Sequence, residues 1–154
     1  MSEPKTGKQM KLYRNTGTDA SPTWVLVCDI SDVNINDLSV GTAELKRRCS
    51  DWVKALPTLF GLVTLEFTLL HGLDPTTFTA IRQDFFAKTV RQWAVMDGLI
   101  DTVGSEGLIL PGLLQNFPWN QPLEDVSGHD IQLVTGYLQE SSVEIDPYWL
   151  VVSS

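Results

Sequence analysis

The side chains of this 154-residue chain best suited to acid–base, nucleophilic or metal chemistry are two histidines, His71 and His129, two cysteines, Cys28 and Cys49, and its carboxylates. The thiols and imidazoles stand in four separate segments, without the paired short spacing of structural zinc motifs, so a four-ligand site would have to be assembled wholly by tertiary structure. His71 precedes Gly72 and reads as a turn residue. His129 opens an alternating stretch after Gly128, where a structural or interfacial role is favoured over a general base. The cysteines read as two unpaired, buried or half-buried thiols, although they could pair in principle. A hydrolase-type carboxylate pair is defined by separation in space, so the sequence nominates none, and Glu124-Asp125 reads as solvated or interface charge. No GxGxxG, GxxxxGK[ST] or GxSxG occurs, so dinucleotide, P-loop and nucleophile-elbow chemistry have no footing. The expectation is no catalytic residue, no metal site, no cofactor, and a chain that is not an enzyme.

Charge narrows the partners. The formal charge is -8, and its placement is uneven: residues 1 to 54 sum to +1, residues 55 to 88 to -1, and residues 89 to 154 to -8. An acidic last third is unsuited to gripping nucleic acid, which needs clustered Lys and Arg; it suits a solvated face or a wall that repels polyanions. No run approaches the ~18 apolar residues of a membrane span and no apolar secretory stretch opens the chain, so a protein made and kept in solution, without a membrane partner, is expected.

The elements that would position these groups follow from length and period. A chain of this size buries roughly 70% of its extended surface in one core, and 43% hydrophobic residues supply it. The polar start, residues 1 to 22, reads as a flexible arm and residues 23 to 154 as one domain. The run Trp24–Ile30 reads as a strand, with Val33 and Ile35 alternating after it. Residues 43 to 56 are ambiguous: Leu45, Cys49, Trp52, Val53 and Leu56 recur at helical spacing, while Ala43 and Leu45 also alternate at two; Pro57 limits any helix at Leu56. Leu62–Gly72 alternates as a strand.

The clearest helix is predicted at 74 to 88. Asp74 is placed to cap it and Pro75 to open it, with Phe78, Ile81 and Phe85 on a core stripe that Phe86 widens. Arg82, Gln83 and Lys88 face outward. Thr89–Gly98 reads as a strand covered on both faces, and Asp97-Gly98 as a turn. The glycine-punctuated stretch from Leu99 to Trp119 looks like a hairpin or loop. His129–Leu138 alternates as a strand, and a short closing strand is begun or interrupted by Pro147.

The order of WVLVCDISDVNIN, AELKRRCSDWVKALPTLFGLVTLEFTL, DPTTFTAIRQDFFAK, TVRQWAVMDG and QPLEDVSGHDIQLV resembles the tail tube proteins of long, non-contractile-tailed bacteriophages, over about Trp24 to Val134. Ala43-Glu44, Arg48, Ser50 and Trp52 take the places of that family's strand and Trp-containing loop, and Gln121 to Val134 those of its late polar turn and strand. Cys49-Ser50-Asp51 departs from the family's glycine-rich link. The resemblance favours a strand at 43 to 48 and a loop at 50 to 57 over the helix.

It implies a mainly β fold with one flanking α-helix, a β-sandwich or partly closed barrel whose strands join a continuous inner barrel in a hexameric ring. Stacked rings would form a virion tail tube, assembled in the host cytoplasm, through which genomic DNA passes unbound, with tail-tip, tail terminator and tape-measure proteins as partners. Interface candidates are Trp119, Gln121, Glu124, Asp125, Arg48 and Trp52, Trp119 being equally readable as a loop-packing aromatic; Phe78, Ile81 and Phe85 are core. A tail terminator or head–tail connector ring is one alternative, and a small non-viral α+β enzyme or binding module another. Residues 1 to 22 are a candidate contact between rings.

Overall fold

The computed structural model describes residues 10–28, 30–36, 38–71, 75–119 and 128–153. Its elements are β1 (Lys11–Asn15), β2 (Trp24–Val27), β3 (Ile30–Asn36), β4 (Val40–Leu45), β5 (Lys54–Phe60), β6 (Thr64–Leu70), α1 (Pro75–Ala87), β7 (Val90–Met96), β8 (Glu106–Asn116), β9 (Gly128–Thr135), β10 (Gln139–Glu140), β11 (Val143–Glu144) and β12 (Tyr148–Val151). The main sheet runs β2-β1-β7-β8-β9-β6-β3, with β12 also on β8, and its pairs are antiparallel.

This order forces the sheet to curl. β2 and β3 stand at the two ends of the path, yet β2 ends at Val27 and β3 starts at Ile30, a stretch of chain that spans at most about 11 Å. Laid flat, the path would hold its end strands about 29 Å apart at ordinary strand spacing. The result is a mainly β fold, a curled antiparallel half-barrel with one helix. An opening of about 740 Å³ remains between β2 and β3, lined in part by Leu12, Val27, Ile30 and Val33.

Alternation in the strands sends side chains to two packed faces. On one, Leu12, Trp93, Leu65, Phe67, Ile131 and Leu133 form the main core with Ile81 of α1, and Phe78 and Phe85 pack against its rim. On the other, Tyr13, Ala94, Met96 and Ile109 are covered by Trp24, Leu26, Ile100, Leu150 and Val152. The Tyr13 hydroxyl accepts the Ile100 N–H at 3.1 Å, fixing the loop after β7. β7 is therefore covered on both sides, as its pattern predicts.

Several expectations are corrected. Residues 50 to 57 are not a loop throughout: β5 begins at Lys54 and pairs Leu45↔Lys54 and Ala43↔Leu56 in an antiparallel hairpin. Pro57 is tolerated because a two-stranded sheet has an unpaired side on each strand. The stretch after Asp97-Gly98 is not merely loop but carries β8, the longest strand, eleven residues with Pro111 inside it. Pro111 lies where β8 passes from β12, paired as far as Ile109, to β9, paired from Gly112. Its carbonyl accepts the Gly136 N–H, so its missing donor falls at that handover. Gly107 is needed there too, since a Cβ would run into the Val95 carbonyl oxygen.

Phe86 does not widen the core stripe; it is 74% exposed, because Asp84 rather than Phe86 takes the next inward position of the helix. Within the stretch expected as an arm, Lys11–Asn15 is a strand with Leu12 to Asn15 buried; its sheet partners β2 and β7 override the polar local sequence. Residues 1 to 9 and the predicted cap Asp74 lie outside the described residues.

Candidate assembly interface

The β4–β5 hairpin is the part of the fold with the least burial. Every residue of β5 is exposed, as are the first five of β4, and the three hydrophobic clusters draw none of their residues from it. Its side chains are nonetheless apolar: Val40, Trp52, Val53, Leu56, Leu59 and Phe60 are exposed, Leu59 by 84%. Register places Val40 beside Phe60 and, past a bulge, Ala43 beside Leu56; with Val40 and Ala43 three residues apart, the apolar strip runs over both faces of the hairpin. An isolated two-stranded hairpin is marginally stable in water, and a contiguous exposed apolar surface marks a site of contact.

The hairpin turn concentrates positive charge. Lys46, Arg47, Arg48 and Lys54 stand around it, against Glu44 and Asp51. Ser50 Oγ fixes the local backbone, accepting the Trp52 N–H and donating to the Trp52 carbonyl, both at 3.3 Å, and Trp52 is 78% exposed. The two sequence-predicted interface residues Arg48 and Trp52 are thus brought together on one turn.

Trp119 lies elsewhere. Its ring packs at 4.7 Å from His71 and 5.5 Å from His129 and keeps 54% of its surface exposed. Both histidines belong to one hydrogen-bond chain. The Pro118 carbonyl can only accept, so the His129 Nδ1 at 3.0 Å donates to it, and His129 Nε2 accepts from His71 Nδ1 at 3.1 Å. Burial holds the His129 imidazole below its ordinary pKa, the Pro118 hydrogen bond opposing and nearby His71 adding to the lowering. Phe78 and Phe117 complete the aromatic surround. The pair ties the start of β9 to the end of β6 and to α1. Gln121, Glu124 and Asp125 lie outside the described residues.

Sequence reasoning missed two buried polar sites. Asp84 of α1 accepts from Arg14 of β1, Nε at 3.0 Å and Nη2 at 2.5 Å, and from Arg91 Nε of β7 at 2.9 Å, all at its Oδ2. Asn15 donates to Gln92 at 2.9 Å and Gln92 to Asp19 at 2.8 Å; the Asn15 side-chain Oδ1 also accepts the Gly17 and Thr23 N–H groups. Burial raises the Tyr148 pKa, and Asp19 adds to the rise. The available signal was alternation: Arg14 shares a strand face with buried Leu12, and Gln92 with buried Ala94 and Met96.

Among the described residues no group of three or more His, Cys, Asp or Glu converges as a metal site; both cysteines are unpaired as expected, but exposed rather than buried or half-buried, Cys28 following the last residue of β2 and Cys49 lying on the exposed hairpin turn. No helix there is long and apolar enough to cross a membrane.

No protein-family model and no curated protein matches the chain. Solved structures do. A chain from the tail of an empty gene transfer agent (GTA) particle with C6 symmetry is 14% identical, with a TM-score of 0.65 over 86% of this chain and 95% of that one. A chain from the virion of a native gene transfer agent particle gives a TM-score of 0.62 at the same identity and coverage. A chain from the six-fold symmetrised baseplate of the anti-feeding prophage gives 0.55 at 14% identity, over all of both chains. These likenesses concern the fold.

Proposed function

We propose that the chain is a structural subunit of a phage-like tail, a tube protein that joins identical copies into hexameric rings and stacks them around a channel for DNA. The observation that carries this reading is the β4–β5 hairpin, an apolar arm that buries almost nothing in its own subunit and so requires a neighbour. The likeness in fold to chains of six-fold tail and baseplate assemblies supports it, as do the curled sheet's two end strands, β2 and β3, whose outer sides lack a strand partner among the described residues. A net charge of -8 suits a channel that DNA crosses without binding. The role is mechanical, with no reaction to catalyse.

A ring protein that stacks once, as at a baseplate, terminator or connector, is the second reading; full mutual coverage with the baseplate chain favours it. Negative-stain imaging of the purified chain at rising concentration tests both. Long hollow tubes or stacks of hexamers are expected. Single rings of fixed size would transfer the assignment to the second reading, and a monomer at every concentration would overturn both.

A further inference from the structure

Resting on the tail-subunit reading, we propose where the hairpin lands: the β4–β5 arm of one copy lies along β12 of the next, its basic turn against Glu106, Glu144 and Asp146 and its apolar strip against Trp149 and Val151. β12 is a strand with one side paired to β8 and no strand on its other side among the described residues. Trp149 and Val151 are more than half exposed, and Val143 of the adjoining β10–β11 hairpin is 61% exposed. The Trp149 Nε1 donates to Glu106 at 3.3 Å, which fixes the indole as a ready-made platform. An unpaired strand flanked by such side chains is a template for another chain's strand.

Charge selects the occupant. Residues 92 to 153 contain no Lys or Arg, so this surface is acidic around its apolar centre, and Glu106, Glu144 and Asp146 are exposed. The hairpin turn is the densest run of cations among the described residues, with Lys46, Arg47 and Arg48 consecutive. Phe86 on α1, the most exposed aromatic outside the hairpin among the described residues, is flanked by the exposed cations Arg82 and Lys88, which would repel the turn. The arm and β12 match in apolar character and in having open strand edges, are opposite in sign of charge, and belong to the same chain, so each copy both gives and receives. Such a head-to-tail contact propagates.

Charge exchange tests the pairing. R47E/R48E and E144K/D146K, all on exposed side chains, are each expected to reduce self-association at least tenfold while far-UV circular dichroism stays unchanged. The fourfold variant R47E/R48E/E144K/D146K, with both signs reversed, is expected to assemble as the parent does. In the parent assembly, mixed from isotope-labelled and unlabelled copies, carbodiimide coupling should join Lys46 or Lys54 of one copy to Glu106, Glu144 or Asp146 of another. If parent and both paired reversals form the same tubes, the docking site is wrong and the tail reading survives. If each reversal blocks assembly and the fourfold variant does not restore it, the pairing is wrong. If the parent itself never associates, both fall.

Discussion

Asp84 is the residue on which the interior electrostatics turn. One carboxylate oxygen serves two guanidiniums, and both Asp84 and Arg14 are almost wholly buried, so removing the acid strands a cation in the core. Asp84→Ala should destabilise the fold by about 3–5 kcal/mol, whereas Arg91→Ala, whose side chain is 31% exposed, should cost about 1 kcal/mol or less; urea unfolding of the two variants checks the ordering. The histidine pair gives a second residue-scale expectation. His129 has a folded pKa held below its unfolded value of about 6.5, so the unfolded chain binds the proton first as pH falls. Its contribution to stability is complete above about pH 6.5, declines as pH drops below that, and stops declining once the folded pKa is passed. The parent should therefore lose more stability than His129→Gln between about pH 7.5 and 5.5, at up to ~1.4 kcal/mol per pH unit. Equal losses would show that His129 is not the titrating group.

At the scale of elements, α1 shows how local chemistry closes a helix. Lys88 has φ 58°; Lys88 N–H donates to the Phe85 carbonyl and Thr89 N–H to that of Asp84, a Schellman closure with a lysine where glycine is usual. Lys88→Gly should raise stability by about 1 kcal/mol, read as a melting temperature higher by about 2–4 °C; an unchanged or lower value would mean the lysine makes up the backbone cost through contacts of its own. This helix was legible because Pro75 and the Phe78, Ile81, Phe85 spacing act locally. β6, β7 and β9 were legible by alternation. β8 was not, because its glycines and proline are local breakers that only tertiary neighbours excuse: Gly107 presses on the Val95 carbonyl and Pro111 sits at the change of strand partner. β5 was hidden for the same reason, its helical spacing and Pro57 outweighing a partner strand that periodicity cannot see. In the candidate interface, Trp52 and Arg48 could be picked by residue type, but the exposure of Leu59 and Phe60 could not, since an apolar strand reads as core wherever it lies.

For the whole molecule, the body and the arm should be separable. The three hydrophobic clusters close without any residue of the hairpin, and its base is pinched by a 2.9 Å hydrogen bond from Gly61 N–H to the Ser39 carbonyl. Replacing Val40 to Phe60 by an Asn-Gly turn joins two groups already in contact, in a geometry that a two-residue turn suits. The excised protein should keep the parent's far-UV spectrum and melt within about 2–4 °C of it, a change corresponding to about 1 kcal/mol, because the hairpin contributes almost no buried area to the subunit. Analytical ultracentrifugation should find it monomeric at concentrations where the parent forms rings or tubes. Both halves of that outcome are needed. An excised chain that unfolds would mean the hairpin supports its own subunit, and one that still assembles would mean that the apolar strip is solvated in the particle and that copies meet through some other surface.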